Sequence, residues 1–234
     1  MTRAPIARPS PNHGARPNGA HIDLLILHYT GMPSAEAAMA RLCDPASVVS
    51  AHYVIDEDGT LYVLVDEARR AWHAGVGFWA GATDVNDRSI GIELVNPGHE
   101  FGYRPFPEPQ MQTLESLGRD IVARHRIPPH RVLGHSDVAP NRKQDPGELF
   151  DWPRLARAGL GIWPRAAACQ TPPGVALSAD ETTEAQALLD RFGYGTDNVA
   201  ATIAAFQRHF RPAPMDGVLD RDCLLRLRDL MAQR

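Results

Sequence analysis

Two histidines and one aspartate stand at positions from which they could hold a metal ion. His28 ends the apolar run HIDLLILH, His135 ends the shorter run RVLGH, and Asp145 follows in a loop flanked by proline. Two imidazoles and one carboxylate, with a fourth position left open, are a ligand set of catalytic zinc. Because the end of a rigid strand fixes the directions of its side chains, the three residues are candidate zinc ligands. Spacing alone leaves the alternative that each histidine is structural or solvated.

Two further charged residues could act beside such a metal. Glu93 is the single charge inside SIGIELVN, a run typical of a buried strand. A buried carboxylate is costly unless it is paired or functional. Glu93 is therefore either the partner of an arginine such as Arg88 or Arg131, or a general base for an attacking water. Lys143 is either an ordinary surface lysine or a group that stabilises a developing oxyanion.

The secondary-structure patterns around these residues predict an α/β fold with a mixed central β-sheet flanked by helices. HIDLLILHYT, SIGIELVN and RVLGH are short apolar runs typical of buried strands, and AHYVIDEDGTLYVLV has Asp-Gly at the turn of a hairpin pattern. A helix is expected to open at Ser34, and apolar residues at helical spacing predict another from Glu108 to Arg126.

Changes in composition predict four parts of the chain. Residues 1–20 are rich in Pro, Arg and Gly, which favours a flexible segment. Residues 21–163 hold the predicted sheet and site, and the Pro- and Ala-rich residues 164–177 are typical of a linker. Residues 178–234 are expected to form a small all-α three-helix domain near the lower size limit for an independent core. Its helical patterns are Thr182–Phe192, Asn198–Phe210 and Asp220–Met231.

Composition also excludes several classes of protein. A net charge of -4 gives no basic face for nucleic acid, and no apolar run is long enough for a membrane span. The three cysteines are scattered and odd in number, which argues against a disulfide framework or a cysteine zinc site. The first twenty residues lack the apolar core of a signal peptide. We therefore expect a cytoplasmic protein, with a periplasmic or outer-membrane location as the alternative if the native N-terminus is missing. We expect a monomer, because no stretch of the sequence resembles an oligomerisation stripe.

Five blocks of sequence carry a resemblance to a known family. LHYTG, SAHYVIDEDG, AWHAG, SIGIELVNPG and GHSDVAPNRKQDPG occur in this order. Together they resemble the zinc-dependent N-acetylmuramoyl-L-alanine amidases of the type-2 amidase family. The C-terminal AFQRHFRP and MDGVLD resemble the three-helix peptidoglycan-binding module of that family's AmiD-like branch.

The resemblance implies a reaction and a role for each candidate residue. One Zn²⁺ per chain would be held by His28, His135 and Asp145, with Glu93 as catalytic base and Lys143 at the tetrahedral intermediate. The bond cleaved would join the lactyl group of muramic acid to L-alanine, in peptidoglycan or in (anhydro)muropeptides. Two alternatives stay open: an inactive peptidoglycan-binding or sensing protein, and an unrelated cysteine hydrolase, for which the chain has no motif.

Four more residues are candidate substrate contacts: His52, His73, Asn86 and Ser89. His52 could equally be a packed strand residue, and His73 could support a metal ligand from behind. The hairpin turn carries Asp56 and Glu57, where the branch that cleaves cytosolic anhydro-muropeptides has basic residues. This departure predicts looser demands on the stem peptide.

Overall fold

A computed structural model describes residues 4–234, and a six-stranded mixed sheet lies at its centre. The strands of the described chain are β1 (Ile6–Ala7), β2 (His13–Ala15), β3 (Leu24–Tyr29), β4 (Tyr53–Ile55), β5 (Leu61–Val63), β6 (Arg69–Ala71), β7 (Ser89–Leu94) and β8 (Val132–Gly134). The sheet order is β1-β5-β4-β7-β3-β8, and only the β4/β5 hairpin is antiparallel within it. Strands β2 and β6 form a separate antiparallel pair. The predicted mixed α/β sheet is confirmed.

Helices cover the sheet and form the C-terminal part of the chain. They are α1 (Ala35–Cys43), α2 (Gly98–Phe101), α3 (Glu108–His125), α4 (His135–Val138), α5 (Trp152–Arg157), α6 (Ala179–Phe192), α7 (Val199–Phe210) and α8 (Arg221–Met231). Helices α1, α6, α7 and α8 begin where a side chain caps the first free N–H groups, as Ser34 does for α1 and Asp220 for α8, whereas the longest helix, α3, begins after Pro107 without a side-chain cap. Across the described residues, no helix has the length and apolar character needed to cross a membrane.

The side chains of β3 alternate between two apolar cores, one on each face of the sheet. Leu25 and Leu27 belong to the apolar core that includes residues of α3 and α5, whereas Leu24 and Ile26 belong to a second core on the opposite face. Because successive side chains of a strand point to opposite faces, His28 shares the face of Leu24 and Ile26. The imidazole of His28 therefore lies at the end of β3, next to the buried side chains of Leu24 and Ile26 on the same face.

The N-terminal segment differs from the flexible segment that its composition predicts. Of residues 1–20, those from 4 onward are described, and they include β1, paired with β5, and β2, paired with β6. Arg16 donates to the backbone carbonyls of Glu67, Asn86, Asp87 and Ser89. Composition missed this because the bonds that hold the segment run to distant backbone carbonyls, which have no signature in a local stretch of sequence.

Candidate metal centre and active site

Three potential metal-ligand atoms meet in a buried cluster. His28 Nδ1 lies 2.9 Å from His135 Nδ1 and 3.1 Å from Asp145 Oδ2, and His135 Nδ1 lies 3.0 Å from the same oxygen. All three residues are buried. The structure therefore brings together the three residues predicted as ligands.

Sheet topology explains why residues so far apart in sequence meet. His28 lies near the carboxyl end of β3, and His135 is the first residue of α4, directly after β8. Since β3 and β8 are parallel neighbours, their carboxyl ends lie at the same edge of the sheet. The loop after α4 returns Asp145 to this edge, where its carbonyl accepts a hydrogen bond from the Ser136 N–H.

A chain of side-chain hydrogen bonds determines which nitrogen of His28 is free. The Ser89 hydroxyl donates to the Val85 carbonyl (2.7 Å), so its oxygen accepts from Nε2–H of His73 (3.1 Å). Nδ1 of His73 then accepts from Nε2–H of His28 (3.0 Å). A neutral imidazole carries one proton, so Nδ1 of His28 presents a lone pair to the cluster.

The other candidate ligand, His135, also has an unprotonated Nδ1, and a single hydrogen bond is enough to fix this tautomer. Nε2–H of His135 donates to the backbone carbonyl of Ala74 at 3.0 Å, which leaves its Nδ1 bare. The bare nitrogens of His28 and His135 thus face each other and the carboxylate oxygen of Asp145. Three acceptors in contact repel one another unless a cation lies among them. The residues present therefore fit a metal ion bound by two nitrogens and one oxygen.

The protonation states of the cluster agree with this assignment. Burial, aided by the neighbouring His135, lowers the pKa of His28 to about 4, so its ring is neutral at pH 7, as a metal ligand must be. Burial alone would raise the pKa of Asp145, but His135 and His28 hold it below its usual range. A neutral imidazole and an ionised carboxylate are the forms that bind metal.

Glu93 stands beside the cluster, and no arginine of residues 4–234 pairs with it. In the paired strands β3 and β7 it is the register partner of His28, so both side chains lie on one face of the sheet. The two arginines considered as partners, Arg88 and Arg131, both bind Asp23 instead. Among the described residues, Oε2 of Glu93 has no hydrogen-bond partner although it is buried. A carboxylate left in this state is available for chemistry.

The charge around Glu93 favours proton transfer near neutral pH. Burial and the nearby Asp145 carboxylate raise the pKa of Glu93 well above its usual value, and the Lys143 ammonium opposes the shift. Lys143 and Glu93 line one cavity of about 340 Å³, together with Trp72 and Arg142. Lys143 is the only lysine among the 24 basic residues of the chain. The functional interpretation of both residues is therefore compatible with their positions.

Three of the four predicted substrate contacts support the site instead of lining it. Within the described chain the cavity wall includes His73 but not His52, Asn86 or Ser89, which are buried. Asn86 Oδ1 accepts the backbone N–H groups of His73 and Ala74. His52 Nδ1 accepts the Gly91 N–H. His73 lies on the wall, and both of its ring nitrogens are already engaged, so we assign it to the support of His28.

Two supporting residues were not anticipated. Ala74 acts through its backbone carbonyl, which no side-chain motif can reveal. Gly91 lies under the His73 ring, and a Cβ at this position would lie 2.4 Å from Cγ of His73. The sequence did hold a signal for Gly91, because a glycine inside a strand often marks a position where another group approaches the backbone closely.

The chain is similar in sequence and in structure to known proteins of one family. A family model described as N-acetylmuramoyl-L-alanine amidase matches residues 18–148. The N-acetylmuramoyl-L-alanine amidase AmiD of Escherichia coli (strain K12) is 37% identical over 228 residues, covering 86% of this chain and 79% of that protein. The 1,6-anhydro-N-acetylmuramyl-L-alanine amidase AmpD of Haemophilus influenzae is 35% identical and covers 62% of this chain and 86% of its own.

Two solved structures are similar over almost the whole chain. One is the complex of AmiD from E. coli with the substrate anhydro-N-acetylmuramic acid-L-Ala-D-gamma-Glu-L-Lys. It has a TM-score of 0.82 and 35% identity, covering 92% of this chain and 91% of that one. The other is AmpDh3 from Pseudomonas aeruginosa, with a TM-score of 0.78, 32% identity and coverage of 93% and 94%. The similarity therefore extends beyond the sheet to the C-terminal helices.

Proposed function

Because this chain belongs to the N-acetylmuramoyl-L-alanine amidase family, we propose that it is a zinc-dependent hydrolase of the amide between the muramic acid lactyl group and L-alanine. Its substrates are peptidoglycan fragments or murein. The observation that carries the proposal is the convergence of two bare imidazole nitrogens and one carboxylate oxygen beside Glu93, whose buried Oε2 has no hydrogen-bond partner in the described part of the chain. Relatives named for this activity, one of them solved with an anhydro-muropeptide, support the choice of bond.

The donor set determines the proposed metal. Zinc accepts nitrogen and oxygen ligands from three residues and keeps a fourth position open for chemistry. His28, His135 and Asp145 would hold it. When bound, zinc supplies a Lewis acid that polarises the scissile carbonyl and lowers the pKa of a water toward about 7.

The residues of the chain then divide the proton transfers and the charge between them. Glu93 takes a proton from the attacking water, which its raised pKa permits near neutral pH. Lys143 donates to the oxygen of the scissile carbonyl as negative charge develops there. Glu93 returns the proton to the nitrogen of L-alanine as the C–N bond breaks, so the amine leaves in neutral form. One carboxyl group thus acts first as base and then as acid.

A binding or sensing protein without activity is the competing function. It would need neither a proton carrier nor an oxyanion group, yet Glu93 and Lys143 both line the cavity. The Glu93→Gln variant separates the two functions, because the amide keeps the size of the side chain and cannot accept the proton. We expect this variant to retain zinc and to lose a factor of about 10²–10⁴ in kcat.

The direct test uses purified protein, anhydro-muropeptide and intact sacculi, each with and without EDTA, with products identified by mass. Release of peptide beginning at L-alanine, lost with EDTA and restored by Zn²⁺, supports the proposal. Release from both substrates indicates broad use of murein, and release from the soluble fragment alone indicates a preference for small muropeptides. Binding of either substrate by the zinc-loaded chain without any product supports the competing function.

A further inference from the structure

The C-terminal helices share a hydrophobic core with the sheet. Leu24, Ile26 and Leu133 of the sheet belong to the same buried cluster as Phe192 and Phe206 of α6 and α7. A three-helix module that only tethered the chain to a polymer would keep its own core and meet its neighbour through a smaller, more polar surface. The shared core therefore indicates a structural role for these helices in the catalytic part of the molecule.

The contact between the end of α6 and the loop that holds Trp79 is close enough to require a glycine. The Trp79 ring lies edge-on to Tyr194, with 4.9 Å between ring centroids, and the Ala80 N–H donates to the Gly193 carbonyl at 2.8 Å. A Cβ on Gly193 would lie 2.6 Å from Cε2 of Trp79. The end of α6 is thus fixed against a loop of the catalytic part by main-chain and ring contacts.

One buried carboxylate joins the two parts. Oδ1 of Asp137 accepts the Tyr194 hydroxyl at 2.6 Å, and Oδ2 accepts Nδ1–H of His209 at 2.7 Å and the Gly134 N–H at 2.7 Å. Asp137 is 1% exposed, so the three donors replace the water that its charge would otherwise need. Burial raises the pKa of Tyr194 well above its usual value, which keeps the hydroxyl protonated as a donor.

His209 is oriented for this contact alone. Its ring is stacked between Trp152 and Phe210, with centroid separations of 3.7 and 3.8 Å. In the described chain its other nitrogen, Nε2, is buried with no hydrogen-bond partner. A buried ring that leaves one nitrogen unsatisfied costs free energy. The stacking and the Asp137 bond are what hold this ring in place.

Asp137 lies three residues from Gly134, on the short helix that carries a metal ligand. Its carboxylate caps the N-terminus of α4 through Gly134, and α4 begins at His135. The next residue, Ser136, donates its N–H to the Asp145 carbonyl at 2.9 Å. A shift of α4 would therefore move His135 and the backbone of Asp145 together.

We propose that the three-helix module positions the metal centre, with Tyr194 and His209 acting through Asp137 on His135 and Asp145. Tyr194, His209 and Asp137 are positioning residues, since none of the contacts described for them reaches the cavity. The inference rests on the proposed function in one respect: it assumes that the cluster binds zinc. Any role of these helices in binding murein would be additional to this one.

The experiment measures metal affinity in the full chain, with activity as a secondary reading. Zn²⁺ affinity is obtained by competition with a chelating dye, and the ligand field is read from the absorption bands of the Co²⁺-loaded protein. His209→Leu removes the donor to Asp137, whereas His209→Asn offers an amide N–H near the position of Nδ1. We expect a loss of about 10–100-fold in Zn²⁺ affinity for His209→Leu, with most of it recovered in His209→Asn.

Two further variants keep the test informative. Tyr194→Phe removes a single oxygen atom and should weaken Zn²⁺ binding by about 3–10-fold, a smaller loss than removal of a whole donor ring. Gln207→Leu is the matched control, because Gln207 lies on the same helix, is fully buried, and within the described chain its side chain bonds only to residues of the module such as Asp216. It should lower thermal stability without changing Zn²⁺ affinity or the Co²⁺ spectrum.

The outcomes separate the two claims. Equal Zn²⁺ affinity in wild type, Tyr194→Phe and His209→Leu overturns the positioning role and leaves the proposed function standing. Losses in Gln207→Leu as large as in Tyr194→Phe also overturn it, since the effect would then follow general destabilisation. A wild-type chain that binds no Zn²⁺ overturns both claims.

Discussion

The two imidazoles of the candidate metal centre are supported by different kinds of hydrogen-bond acceptor. His28 donates its outer N–H to the side chain of His73, which continues through Ser89 to the backbone. His135 donates directly to a backbone carbonyl, that of Ala74. A side-chain support can be removed by one substitution, whereas a carbonyl support changes only when the main chain moves. The His28 side is therefore sensitive to residue identity, and the His135 side to the placement of α4.

Removal of either candidate ligand histidine should abolish zinc binding, whether that histidine is supported by a side chain or by a backbone carbonyl. We expect His28→Ala to lose bound zinc and to retain less than about one thousandth of wild-type activity, since zinc would keep only two protein ligands. Metal content by mass spectrometry and peptide release are measured together. His125→Ala is the control, because its imidazole pairs with Glu67 and does not line the cavity. Zinc that survives His28→Ala would refute the ligand assignment.

Lys143→Ala should leave both supports intact and slow the reaction. Loss of one oxyanion donor costs about 10²–10³ in kcat, while zinc content should stay at that of wild type. Lys143→Arg keeps the charge and should recover part of the loss. Since Lys143 is the only lysine, an amine-reactive reagent should inactivate wild type and leave the residual activity of Lys143→Ala unchanged. Unchanged kcat in Lys143→Ala would remove this residue from the mechanism.

His73→Phe tests the side-chain support alone. Phenylalanine fills the space of the ring but cannot accept the proton on Nε2 of His28, so either tautomer of His28 becomes available. We expect a loss of about 10–100-fold in zinc affinity, the usual cost of losing an outer hydrogen bond to a ligand. Ser89→Ala, one step further from the metal, should cost less. An equal loss in both variants would contradict the arrangement in which His73 supports His28 directly and Ser89 acts only through His73.

Acid should lower the stability of the metal-free protein mainly by protonating His28 and the buried histidines near it, His52 and His73. Burial lowers the pKa of His28 to about 4 and that of His52 to about 3, and it lowers that of His73 as well. The unfolded chain protonates these rings near pH 6.5, so stability present at pH 7 is lost as pH falls toward 4.

Between pH 7 and 5 we expect the His28 and His52 rings each to contribute a loss of about 1–2 kcal/mol in the free energy of unfolding. Denaturant melts of the metal-free chain at several pH values measure it. His73→Phe should flatten the dependence. A pH dependence that is the same in His73→Phe as in wild type would show that the His73 ring does not contribute.

The strands could be predicted from sequence because apolar runs are local signals, and the candidate ligands at their ends were selected with the help of the family resemblance. The apolar run before His28 forms β3, and the capping side chain of Ser34 opens α1 as expected. The three C-terminal helices end where their patterns end. The first begins at Ala179, three residues before Thr182, since the capping box of Ser178 and Glu181 adds a turn without apolar residues.

The supports of the site could not be predicted, because they depend on contacts between distant segments. Asn86 and Ser89 stand near Glu93 in sequence and suggest substrate contact, yet the fold turns them behind His73. Arg16 lies in a stretch whose composition suggests disorder, and its donors find carbonyls more than fifty residues away. Hydrogen bonds to backbone carbonyls leave no pattern in sequence, so only the three-dimensional arrangement reveals them.

A crystal structure of the zinc-loaded protein, with zinc located by anomalous scattering at its absorption edge, would identify the atoms that bind the metal. We expect one zinc bound by Nδ1 of His28, Nδ1 of His135 and a carboxylate oxygen of Asp145, with the Nε2 atoms still bonded to His73 and Ala74. Zinc bound through Nε2 of either histidine, or by Glu93 in place of Asp145, would contradict it.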